Sequence, residues 1–134
     1  MRQRRIAGCL GLVLLLSSSV LAATYSVPED KQDEQKILFG SASTFEKPAE
    51  VDYKEVIMAT PEYQSIKKKK VPTGSAKYWI LMSQASDHAL RTIAGIGDDT
   101  DYDLIAVKGF LGELDEPIEA TDITEDVLAK LEDE

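Results

Sequence analysis

The chain has 134 residues, 43% of them hydrophobic and 29% charged, with 24 acidic residues against 15 basic. That length admits one small domain with a modest core. A net charge of −9 opposes non-specific binding to nucleic acid, which needs Lys and Arg against phosphates.

Arg2, Arg4 and Arg5 open the chain, an apolar run follows from Cys9 to Leu16, and Val20-Leu21-Ala22 and Leu21-Ala22-Ala23 offer small-residue cleavage sites. This is the three-part pattern of a secretory signal peptide over residues 1–23. The apolar run falls short of the roughly 20 residues needed to span a bilayer; a retained N-terminal anchor is the rival reading. Cys9 sits before the apolar run, where a lipoprotein box has its cysteine after it. The residues after Arg4-Arg5 fit twin-arginine export poorly, so general secretion is expected. Cleavage removes three of the 15 basic residues and none of the 24 acidic ones, leaving 12 against 24, a formal charge of −12. It also removes the sole cysteine, and with it disulfides and thiolate zinc sites.

Residues 24–48 read as a flexible extension. Pro28 to Lys36 is polar and charged, Ile37-Leu38-Phe39 interrupts it, and Gly40-Ser41-Ala42-Ser43-Thr44 resumes a flexible composition. Ala49 to Met58 suggests a strand leading into a turn, with Val51, Tyr53, Val56 and Ile57 as its apolar members. Thr60-Pro61-Glu62 then signals a helix start, the threonine as cap and the proline at the first helical position. That helix is expected to reach about Lys70, where Val71-Pro72-Thr73-Gly74 breaks it.

Ser75 or Thr73 can cap a longer helix. Tyr78, Met82, Ala85, Ala89, Ile93 and Ile96 lie on one face at steps of three and four, and Gly95 and Gly97 are expected to close it. Asp98 to Asp101 reads as a loop. Leu104-Ile105-Ala106-Val107 is a strand candidate that Phe110, Leu111 and Leu114 extend or pair with. Thr124 caps a last helix to Leu131, with Ile123 and Leu128 as a hydrophobic staple. The fold class is therefore α+β: a small β-rich body over residues 49–134, interrupted by a short helical hairpin at about 61–96 and closed by a short C-terminal helix.

No catalytic motif emerges. Ser86-Asp87-His88 has the residue types of a nucleophilic triad, but three consecutive residues on one helix point in different directions. Asp99, Asp101 and Asp103 alternate as at the start of a calcium loop, yet Leu104 replaces the glycine expected at its sixth position and Phe110 the glutamate at its twelfth. No enzyme activity, cofactor or metal is expected. Lys67, Lys68, Lys69 and Lys70 suit a helix C-terminus, and four adjacent lysines exceed what capping needs; anionic lipid head groups or acidic clients are the partners they could meet. The run Trp79 to Met82 reads as core or subunit interface.

Two segments resemble the Skp/OmpH family of periplasmic chaperones. The first is Val51-Asp52-Tyr53-Lys54-Glu55-Val56-Ile57 followed by Thr60-Pro61-Glu62, similar to the family's opening strand and the start of its first arm helix. The second runs from Tyr102-Asp103-Leu104-Ile105-Ala106-Val107 to Asp122-Ile123-Thr124-Glu125-Asp126-Val127-Leu128, similar to its closing strand and C-terminal helix. The resemblance implies a trimerising body with projecting helical arms, here much shortened, in the periplasm. It implies that unfolded outer-membrane or envelope proteins are held without ATP. Lys67–Lys70, Tyr78, Trp79 and Met82 would then make the client or partner contacts. The alternative is a trimeric structural or adaptor module of the cell envelope that has lost client binding.

Overall fold

The computed structural model describes residues 23–134; the signal-peptide reading, with Cys9, lies outside them except for Ala23. The elements are β1 (Ile37–Gly40), β2 (Pro48–Val51), α1 (Tyr53–Ala59), α2 (Pro61–Lys68), α3 (Ala76–Asp99), β3 (Leu104–Val107), β4 (Thr121–Asp122) and α4 (Thr124–Glu132). The expected α+β class is what the chain adopts. The sheet order is β1-β3-β2-β4. β2 and β3 are parallel, with Ala49 opposite Ile105. Parallel strands need a long crossover, and α1, α2 and α3 supply it. β1 runs antiparallel to β3.

Both faces of this sheet are covered. Ile105, Ala49 and Val51 face a core with Val56 of α1, Ala89 and Ile93 of α3, and Val127 and Leu131 of α4. Leu104 and Ala106 face the other way, onto Val27, Ala42, Phe45 and Leu111. Successive residues of a strand point to opposite faces, so burial on both explains the uninterrupted apolar run of β3.

That second layer corrects the reading of residues 24–48 as a flexible extension. The segment belongs to the body. Tyr25 and Phe45 exchange backbone hydrogen bonds of 2.7 and 2.9 Å, and the Val27 N–H donates to the Ala42 carbonyl at 2.8 Å. The Asp103 carboxylate accepts from the Glu46 and Lys47 N–H groups at 2.7 and 2.8 Å. Few apolar residues are involved: Val27, Ala42 and Phe45 are buried, and Tyr25, Ile37, Leu38 and Phe39 half-buried against the two cores, while their polar neighbours dominate the composition.

Three boundaries also differ from expectation. The strand expected over Ala49–Met58 ends at Val51, because Asp52 caps α1 by accepting from the Glu55 N–H at 3.1 Å. α3 does not stop at Gly95 and Gly97 but continues to Asp99. Gly97 lies under the Phe39 ring, where a Cβ would come within 2.5 Å of a ring carbon, so packing overrides the low helix propensity of glycine. At α4 Thr124 is the first helical residue rather than the cap: Ile123 holds the cap position without a side-chain bond, and Asp122 before it braces the helix start. The Asp122 carboxylate accepts from the Thr124 N–H and hydroxyl at 3.0 and 2.6 Å. Those bonds, with Lys108 at 2.9 Å, hold the Asp122 carboxyl down at about 2. Thr124 instead joins α4 to α1, its hydroxyl accepting from the Asp52 N–H at 2.9 Å. Leu111–Glu113 forms a 3-10 turn that tucks Leu111 under the sheet, rather than extending β3.

Candidate binding site at the hairpin tip

α2 and α3 form the hairpin that the sequence leads one to expect. Thr60 caps α2, accepting from the Tyr63 N–H at 3.3 Å, with Pro61 at its start. Ser75 caps α3, accepting from the Tyr78 N–H at 3.2 Å. Ala85, Ala89 and Ile93 of the expected apolar face are fully buried, and Tyr78, Met82 and Ile96 half-buried. Over residues 63–84 the one buried side chain is Ile66, so the distal hairpin adds little to the core.

The candidate contact residues divide. Lys67, Lys68, Lys69 and Lys70 are exposed, with the Lys67 ammonium 5.5 Å from the centre of the Tyr63 ring. Tyr78 and Met82 lie on the face that continues into buried Ala85, and serve packing first. Trp79 stands outward, 62% exposed, edge-on to Tyr78, with Ile80 58% exposed beside it. Trp79 is therefore neither core nor covered within this chain. Ile80, absent from the sequence-derived contact set, belongs with it; the helical step from Tyr78 could have placed it on the outer face.

α2 ends with a double hydrogen bond. The Val71 N–H donates to the Ile66 carbonyl at 3.0 Å and the Lys70 N–H to the Lys67 carbonyl at 3.3 Å, a Schellman motif. Lys70 occupies its left-handed position at φ 49°, where glycine is favoured. Lys70→Gly is expected to raise stability by up to about 1 kcal/mol, measured by urea unfolding; a loss of stability would show that the Lys70 side chain itself holds the turn. The lysine is thus unfavourable for the local backbone.

His88 lies at the hairpin base and is half-buried. Its Nδ1 meets the Glu62 carboxylate at 2.9 Å and its Nε2 meets Glu134, whose other oxygen accepts from the Thr92 hydroxyl at 2.9 Å. Both ring nitrogens are engaged, so neither serves Ser86, whose carbonyl accepts from Tyr53. The hydrogen bonds to Glu62, then Glu134, raise the His88 pKa above 6.5. Burial raises that of Glu134, but hydrogen bonds from His88 and Thr92 outweigh it and leave it below 4.5. Raised His88 stabilises the fold fully below pH 6.5 and loses that contribution as pH climbs through its folded pKa. Lowered Glu134 contributes above pH 4.5 and loses it as pH falls through its own. The cluster is therefore strongest between those ordinary values. His88→Gln is expected to flatten the decline of stability between pH 6.5 and 8; an unchanged pH profile in melting experiments would refute this.

The alternating aspartates part company. Asp99 faces Lys130 at 3.5 Å, Asp101 faces Lys47 at 3.8 Å, and Asp103 holds backbone N–H groups. No protein-family model matches the chain, and comparison with curated proteins and with solved structures yields no match.

Proposed function

We propose that this is a non-enzymatic binding protein of the cell envelope, exported to the periplasm and trimeric in the manner the Skp/OmpH resemblance implies. It is chaperone-like, holding unfolded outer-membrane or envelope proteins without ATP, and its contact surface is the hairpin tip. The carrying observation is the outward exposure of Trp79 and Ile80. Large apolar side chains left in water at the end of a hairpin that contributes little to the core suit a partner-binding role.

The test is aggregation of an unfolded β-barrel protein diluted from urea. Suppression at several-fold excess, lost in Trp79→Ala/Ile80→Ala, is the expected result. No suppression would end the holding role. The adaptor reading is favoured by the shortness of α2, which has eight residues and so spans about 12 Å at about 1.5 Å per residue, short for enclosing a client. Light scattering across a dilution series decides the trimer on which either version rests.

A further inference from the structure

Charge is segregated along the hairpin. Tyr63–Ser86 contains Lys67, Lys68, Lys69, Lys70 and Lys77 and no acidic residue, whereas the other described residues hold seven basic and 24 acidic side chains. None of the five lysines forms an ion pair among the described residues, although Lys68 lines a shallow cleft with Glu132 and Glu134. At about 1.5 Å per residue, Lys67 lies about 7.5 Å along α2 from Glu62, and Lys77 about 15 Å along α3 from Asp87. The screening length is about 8 Å at physiological ionic strength. A surface touching the tip thus meets the outermost lysines, Lys69, Lys70 and Lys77, largely shielded from the acidic residues at the hairpin base.

We infer that this tip docks the protein on an anionic lipid surface, Trp79 and Ile80 entering the interface and the five lysines lying on head groups. The inference rests on the reading of the tip as the contact surface and names its partner. Lysines are mobile point charges without the planar fork that favours defined bidentate partners, so they suit a laterally uniform anionic layer. Tryptophan prefers the boundary between head groups and acyl chains. Lys70 keeps a charge at the tip in a backbone position that favours glycine. No described helix is long and apolar enough to cross a membrane, and the contact proposed for the tip is peripheral. Repulsion of the acidic body orients the molecule with the hairpin down.

Trp79 is the only tryptophan in the chain, so intrinsic fluorescence reports on the tip alone. The exported protein is titrated with vesicles of mixed phosphatidylglycerol and phosphatidylcholine, with pure phosphatidylcholine vesicles, and with an unfolded β-barrel protein whose tryptophans have been replaced by phenylalanine. A blue shift on the anionic vesicles and none on pure phosphatidylcholine, reversed at about 1 M salt where the screening length is about 3 Å, is expected. Replacing Lys67–Lys70 by Gln should weaken vesicle binding by several hundredfold, from roughly fivefold per lysine. Ile80→Asp should weaken it with the lysines intact, read by vesicle flotation. A shift with the unfolded protein but none with anionic vesicles would overturn the lipid inference and leave the client reading standing. No shift with either would remove the tip as a contact surface, and equal binding to neutral vesicles would overturn the role of the lysines.

Discussion

Phe45→Ala is expected to destabilise the protein by about 3–5 kcal/mol, a large share of the 5–15 kcal/mol typical of a small domain. Phe45 is 1% exposed. It stacks on Tyr25 with ring centres 5.9 Å apart and closes the layer of Val27, Ala42 and Leu111 against Leu104 and Ala106. Truncation leaves a cavity between the sheet and the segment that covers it. Deleting residues 24–48 goes further, because it removes β1 and Pro48 of β2 and leaves that face of β3 covered only by Leu111 and its neighbours. The shortened chain is expected to lose its cooperative unfolding transition. Urea unfolding followed by circular dichroism measures both. A change under about 0.5 kcal/mol for Phe45→Ala would mean that the N-terminal segment is detachable from the body.

Gly97→Val should cost about 2–3 kcal/mol by overpacking. A Cβ at this position would lie 2.5–2.6 Å from three atoms of the Phe39 ring. Phe39 is held by its place in β1, opposite Ile105 of β3, so the ring cannot withdraw freely. The diagnostic is a change of sign. Gly97→Ala alone should destabilise, because the clash exceeds the helix-propensity gain of about 1 kcal/mol. In a Phe39→Ala background the same change should stabilise by about that gain, giving a coupling measurable in a double-mutant cycle. Additive effects would refute the contact. Gly95 provides the contrast: an added Cβ meets only the flexible end of Lys130, so Gly95→Ala is expected to be neutral or stabilising.

Local signals in the sequence located what local chemistry controls. Thr60-Pro61 and Ser75 marked the starts of α2 and α3, and the three-four spacing of Ala85, Ala89 and Ile93 marked the buried face of α3. Asp52 carried a cap signal of the same kind, since its side chain accepts from Glu55 three residues on. It was masked by the apolar Val56-Ile57, which fit a strand as well as a helix.

At the tip, the sequence determined that the four lysines end a helix and that Trp79 lies in the first turn of the next. Its aromatic-aliphatic run was equally compatible with burial. Exposure depends on what packs opposite, and no pattern within one helix contains that information.

The sequence by itself determined the α+β class, the helical hairpin and the apolar continuity of β3, because capping, turn chemistry and periodicity are properties of neighbouring residues. Only the tertiary structure decided that residues 24–48 are part of the body, that α3 runs through two glycines, and that Glu62, His88 and Glu134 meet. Each of these depends on contacts between residues far apart in the chain: Val27, Ala42 and Phe45 against Leu104 and Ala106, Phe39 over Gly97, and two carboxylates on one imidazole. Burial free energy and ion pairing at such contacts outweigh the composition and propensity of the segments that make them.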